Sequence, residues 1–196
     1  MHPLTKTAVP AGNIAIHWFE QSTFALKDSS GSIVQVDPYY PRKRPAERYI
    51  HAAPPLDEST LPTDYILLTH AHGDHTCSES IERIREAFPD VQVVGPQESI
   101  AQVLAETGVD ESRTQVVEAG DIASLGSMKA HTVYAKPPTG DPDADIGPPD
   151  VTHLGFVVEA DGVSVYFSGD PINTFGDHEA LVGAVADLAP DIGFLT

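Results

Sequence analysis

Between residues 69 and 75 the chain reads Thr69-His70-Ala71-His72-Gly73-Asp74-His75, three histidines and an aspartate within six consecutive positions. Imidazole nitrogens and carboxylate oxygens are the donors that zinc and similar divalent ions prefer, so the string predicts a metal site. It follows the apolar run Tyr65-Ile-Leu-Leu68 directly. A buried strand that opens into a loop aims several side chains at one point, as a metal site needs.

Further donors lie in the second half of the chain. Asp170 closes the apolar run Val163-Ser-Val-Tyr-Phe-Ser-Gly169-Asp170, where a carboxylate can bridge two cations. Outside the string, two histidines are candidates to join it. His153 stands at the start of the predicted strand Leu154-Gly-Phe-Val-Val-Glu159, immediately after a long loop, and is preferred. The alternative, His131, sits inside the preceding strand, several residues from the end where ligands gather. Asp37, at the end of Ser32-Ile-Val-Gln-Val-Asp37-Pro38, suits a supporting role, accepting from the second ring nitrogen of a ligand histidine. His2, His17 and His51 have no motif around them, and His178 falls near a helix start. Cys77 reads as a small packed side chain rather than a nucleophile.

The string HxHxDH after a strand, the early strand ending in Asp37-Pro38 and the later one ending in Gly169-Asp170 together resemble the metallo-β-lactamase superfamily, in the same order along the chain. The resemblance implies an α/β fold, the αββα sandwich, and two divalent ions, zinc first with manganese or iron as alternatives. It implies that His70, His72 and His153 hold one ion, that Asp74 and His75 help hold the second, and that Asp170 bridges. The implied chemistry is hydrolysis by hydroxide formed from bound water, with Asp74 orienting the nucleophile and shuttling its proton. Within the superfamily the likeness is closest to the branch that includes the ascorbate phosphate lactonases. The expected substrate is therefore a small ester, lactone or phosphate-containing molecule. A phosphodiesterase or nuclease is the alternative, as is a metal-binding remnant without turnover. The superfamily's redox proteins typically carry Glu in place of the second histidine, so His72 counts against them. Where the family often places a histidine, after Thr132-Val-Tyr-Ala135, this chain has Lys136. The run Asp191-Ile-Gly-Phe-Leu195 resembles an internal strand of the family, after which a final histidine reaches the second ion. The expectation is a domain lacking its C-terminal portion.

Composition sets the class. With 196 residues, 41% of them hydrophobic, one domain spanning 1–196 can bury a core without staples. A single cysteine excludes an internal disulfide, and no apolar stretch approaches the length of a membrane span. The first residues lack the apolar segment of a secretory signal, so a cytoplasmic location is expected. The formal net charge of −18 argues against a general nucleic-acid binder and favours a small-molecule substrate. Arg42, Lys43, Arg44 and Arg48 concentrate four of the eleven basic residues in one Pro-rich stretch. With Lys136, they are candidates to meet an anionic group on a substrate.

The elements that must position these residues are legible in part. Alternation in Ile14-Ala-Ile16, Phe24-Ala-Leu26 and Ile33-Val-Gln-Val36 predicts a β-meander with a turn at Asp28-Ser-Ser-Gly31. Thr76-Cys-Ser-Glu79 matches a capping box, and Ile81, Ile84 and Phe88 recur at helical spacing, so a helix is expected from about Cys77. Val91-Gln-Val-Val94 reads as a strand, and Ile100, Val103 and Leu104 as the inner face of a second helix. Strands are expected over 114–118, 127–135, 154–160 and 163–168, with a hairpin turn at Ala160-Asp-Gly162. The Pro-, Gly- and Asp-rich segment 136–150 is expected to be a surface loop near the metals, its Asp141, Asp143 and Asp145 facing solvent.

Overall fold

The structure is a computed structural model and describes residues 1–195. A one-turn helix α1 (Pro3–Lys6) precedes strands β1 (Ala15–Glu20), β2 (Thr23–Lys27), β3 (Ile33–Val36) and β4 (Tyr65–Leu67). Helix α2 (Ser78–Ala87), β5 (Gln92–Gly95), α3 (Gln97–Glu106) and β6 (Thr114–Val116) follow. The second half comprises β7 (Ile122–Leu125), β8 (Met128–Tyr134), β9 (Leu154–Ala160), β10 (Val163–Phe167), α4 (Glu179–Ala186) and β11 (Ile192–Phe194).

Two sheets form. The first has six strands in the order β1-β2-β3-β4-β5-β6. Its β1–β3 meander is antiparallel and β3 to β6 run parallel; α2 and α3 are the crossovers for β4–β5 and β5–β6, whereas residues 37–64 cross from β3 to β4 as a long loop. The second has five strands in the order β11-β10-β9-β8-β7, antiparallel except between β10 and β11.

Alternation explains how the sheets stack. On β9, Leu154, Phe156 and Val158 face inward, where they meet Leu26, Val34 and Leu67 of the first sheet in a shared core. The opposite face of the first sheet buries Ile66, Leu68 and Val93 under Ile81, Ile84, Ile100 and Val103 from α2 and α3. On the outside of the second sheet, Val133, Val157 and Tyr166 pack against Val185 and Leu188 at the end of α4. The layers are therefore helix, sheet, sheet, helix.

Several local expectations are corrected. Cys77 is the N-cap of α2 without a side-chain cap bond, because the Thr76 hydroxyl instead donates to the His70 carbonyl at 2.8 Å, its oxygen lying 3.0 Å from the Ser99 hydroxyl. Leu104 faces outward, 38% exposed, so the buried stripe of α3 is Ser99, Ile100 and Val103. The short strand β7 was not anticipated. The hairpin turn at Asp161-Gly162 is as expected: both residues have positive φ, 53° and 80°, the pattern of a type I′ turn. Among the described residues no helix is long and apolar enough to cross a membrane.

Candidate metal centre

The ends of β3, β4 and β10 and the start of β9 meet at one edge of the sandwich, where a buried clamp fixes them. Asp37, just past β3 with φ of 45°, accepts from the Thr69 backbone N–H at 2.8 Å and from the Thr69 hydroxyl at 2.7 Å. Its Oδ2 also lies 2.7 Å from His75 Nδ1. A carboxylate at that nitrogen fixes the tautomer, so Nδ1 carries the proton and Nε2 is turned to the site. The second sheet is tied in through Leu154, whose N–H donates to the Thr69 carbonyl at 2.9 Å. Gly169 then lets the β10 end close on this junction. Its φ is +57°, and a Cβ there would lie 2.6 Å from the Leu154 carbonyl oxygen and 2.9 Å from Thr69 Cβ. The Gly-Asp pair thus has a steric reason: only glycine lets Asp170 approach this closely.

Two groups of donors result. Ligand atoms of His70, His72 and His153 lie within 4.8 Å of one another, as do those of His70, His75 and Asp170. The His70 and His153 rings stack with centroids 4.0 Å apart, and His72 stands edge-on to both. Asp170 straddles the groups, with Oδ1 3.3 Å from His75 Nε2 and Oδ2 3.8 Å from His70 Nε2. His70 Nε2 and His153 Nδ1 are buried without a hydrogen-bond partner. Leaving a buried polar nitrogen unpaired costs about 1–3 kcal/mol, a cost that coordination of a divalent ion removes. An all-imidazole group beside an imidazole–carboxylate group suits zinc and its neighbours in chemistry as well as in space.

Residues 15–188 match the beta-lactamase superfamily domain. The chain belongs to this superfamily. It is 28% identical over 144 residues to a UPF0173 protein of Pyrococcus abyssi, covering 71% of this chain and 59% of that one. To a UPF0173 metal-dependent hydrolase of Flavobacterium johnsoniae it is 31% identical over 121 residues, covering 61% and 49%. The chain thus spans about half the length of these curated relatives. The crystal structure of a metallo hydrolase from Ignicoccus hospitalis shares the fold, with a TM-score of 0.58 at 22% identity over 93% of this chain and 70% of that one.

Electrostatics at this superfamily edge divide the histidines. Burial pushes the His70 imidazolium well below its ordinary range, with the neighbouring His75 and His153 adding to the effect. Burial, then the Lys136 ammonium, lowers His153 to about 4. His75 goes the other way: burial works against its charge, but Asp37 and the hydrogen bond to Asp170 outweigh it and raise the imidazolium to about 10. That hydrogen bond is also the first cause holding Asp170 below the usual carboxylate range. At neutral pH His70 and His153 are therefore free bases ready to ligate, whereas His75 must shed a proton first.

Of the residues anticipated as ligands, the structure brings His70, His72, His75, His153 and Asp170 together. Asp74 joins neither group. It is exposed on the outer turn beside Gly73. His131 lies on the outer face of β8, 3.2 Å from Glu159 Oε1. Asp37 sits behind His75, in the supporting position expected of it. Of the basic stretch, Arg44 is buried in an ion pair with Glu20 and stacked over the Tyr49 ring at 4.2 Å, so its charge is committed to the fold. Asp141 is likewise buried, not solvent-facing: it accepts from Thr174 Oγ1 at 2.6 Å and meets His178 Nε2 at 3.1 Å, pinning the 136–150 loop to the segment before α4. Asp150 was missed altogether. Its Oδ2 lies 3.0 Å from His72 Nε2, and the sequence signal was only its place at the end of the loop that leads to His153.

Proposed function

We propose that the chain is a zinc-dependent hydrolase of a small ester, lactone or phosphate-containing molecule, similar in chemistry to the lactonase-like branch of its superfamily. The observation that supports it best is Asp170 placed between two donor groups, one oxygen toward His70 and the other toward His75. A pair of divalent ions supplies acidified water at neutral pH and polarises the oxygen of the scissile bond.

The chain's own residues do the rest. His70, His72 and His153 would hold one ion, and His75 with Asp170 would hold the other. Asp37 keeps the proton on His75 Nδ1, so that Nε2 alone is offered inward. Asp74 belongs to neither donor group but is exposed on the turn between His72 and His75, and in this reading it is the base that would receive a proton from water and pass it to solvent. The strongly acidic surface disfavours long polyanions, which sets small molecules above nucleic acids as substrates. The test is a panel of aryl esters, lactones and bis-aryl phosphates offered to zinc-loaded protein. Turnover abolished by chelator and restored by zinc is expected, whereas activity indifferent to chelator would overturn the reading.

A further inference from the structure

Lys136 follows β8 and is held from two sides. The preceding residue, Ala135, donates its N–H to the His153 carbonyl at 3.0 Å and accepts from Ile172 N–H at 3.0 Å. The lysine is therefore fixed between the segment that carries His153 and the one that carries Asp170. Its Nζ lies 3.4 Å from His153 Nε2. Among the described residues no carboxylate lies within ion-pair distance of that ammonium, unlike Arg44, Arg83 and Arg113, each of which has one. Lys136 also lines two neighbouring cavities of about 150 and 190 Å³, one reaching Ile146 and Asn173, the other reaching His153 and Asp150.

Donor accounting gives this contact a consequence. A neutral imidazole has one N–H and one lone pair. If His153 Nε2 accepts from the Lys136 ammonium, Nδ1 carries the hydrogen and neither nitrogen is left for an ion. Ligation by His153 therefore breaks the Lys136 contact. The ammonium then loses its hydrogen-bond partner, half-buried beside added positive charge, with only the field of Asp170 acting on it from beyond ion-pair distance, so a further negative group is favoured there.

We propose that Lys136 anchors an anionic group of the substrate, a carboxylate or phosphate, held between Nζ and the metal centre. This rests on the hydrolase reading and narrows it to substrates that carry an anion next to the scissile bond. The position of the lysine fits: it is half-buried, lines both cavities, and follows a residue whose backbone is hydrogen-bonded on both sides.

The test is calorimetric titration of zinc-loaded protein with inorganic phosphate and, separately, with acetate, in the parent chain, Lys136→Gln and Lys136→Arg, with zinc content and melting temperature recorded for each. The parent is expected to bind at least one of the two anions, and whichever binds names the chemistry. Lys136→Gln should weaken that binding about tenfold or more, as expected for the loss of a charge-assisted hydrogen bond, while Lys136→Arg retains most of it. Zinc content and melting temperature should be unchanged. Equal anion affinity in parent and Lys136→Gln at equal zinc content would overturn the anchor while leaving the hydrolase reading standing, and so would a zinc-loaded parent that binds neither anion. A parent chain that takes up no zinc would overturn both.

Discussion

The two halves of the candidate centre are built differently. The clamp of Asp37, Thr69 and His75 is buried, and the Asp37 carboxylate alone accepts three hydrogen bonds, all from the segment that follows β4. The rim of His72, Asp74, Lys136 and Asp150 is exposed or half-exposed and sits on loops, with single contacts such as His72 to Asp150. A buried charge network is stable only when every member is paired, so the clamp tolerates little change. A solvated rim has no such constraint. The contrast teaches that most of the candidate ligands are held from the core side, with His72 alone reaching in from the rim, and that the rest of the loop side is free to define what the centre acts on.

Substitutions along this gradient should give graded effects. His70→Ala removes the nitrogen common to both donor groups and is expected to lower zinc affinity by more than about 100-fold, read by competition with a chromophoric chelator. Asp37→Ala strips the partner from a buried imidazolium and from the Thr69 N–H. It should destabilise the metal-free protein by about 3–5 kcal/mol in urea unfolding, and weaken zinc binding about 10–100-fold. Gly169→Ala forces a side chain into a left-handed backbone against the Leu154 carbonyl, with an expected loss of about 1–3 kcal/mol. At the rim, Asp150→Asn should leave the urea midpoint essentially where it is, because an exposed pair contributes little. If Asp150→Asn cost as much as Asp37→Ala, the division into clamp and rim would be wrong.

A pH dependence sharpens the same comparison. The His75 imidazolium is raised to about 10 in the metal-free protein, so its proton competes with an ion at every pH below that value. Zinc affinity of the His75 group should therefore rise with pH, about tenfold per unit between pH 7 and pH 9, until the proton is lost. A flat profile over that range would show that His75 does not ligate.

Much of the clamp was legible in the sequence because it is local or carried by short motifs. The string from His70 to His75 is contiguous, and Asp37-Pro38 and Gly169-Asp170 end apolar runs, so strand periodicity alone puts them at sheet edges. The rim was less legible for a physical reason. The positions of Lys136 and Asp150 depend on the path of the 136–150 loop, and that path is set by the bonds of Asp141 to Thr174 and His178, more than thirty residues away in sequence. Thr76 misled in the same way: the capping box is a local pattern, whereas its hydroxyl is claimed by Ser99, from a different helix. Strand β7 was missed because Ile122-Ala-Ser-Leu125 offers only two inward apolar positions, too short a run to separate from a loop.

The central claim is that the core-side residues assemble a binuclear centre around His70 and Asp170. Elemental mass spectrometry of purified, zinc-equilibrated protein tests it most directly, with Asp170→Ala and His131→Ala measured alongside. About two zinc ions per chain are expected in the parent and in His131→Ala, falling clearly in Asp170→Ala. One ion or none in the parent, or equal loss in His131→Ala and Asp170→Ala, would contradict the account.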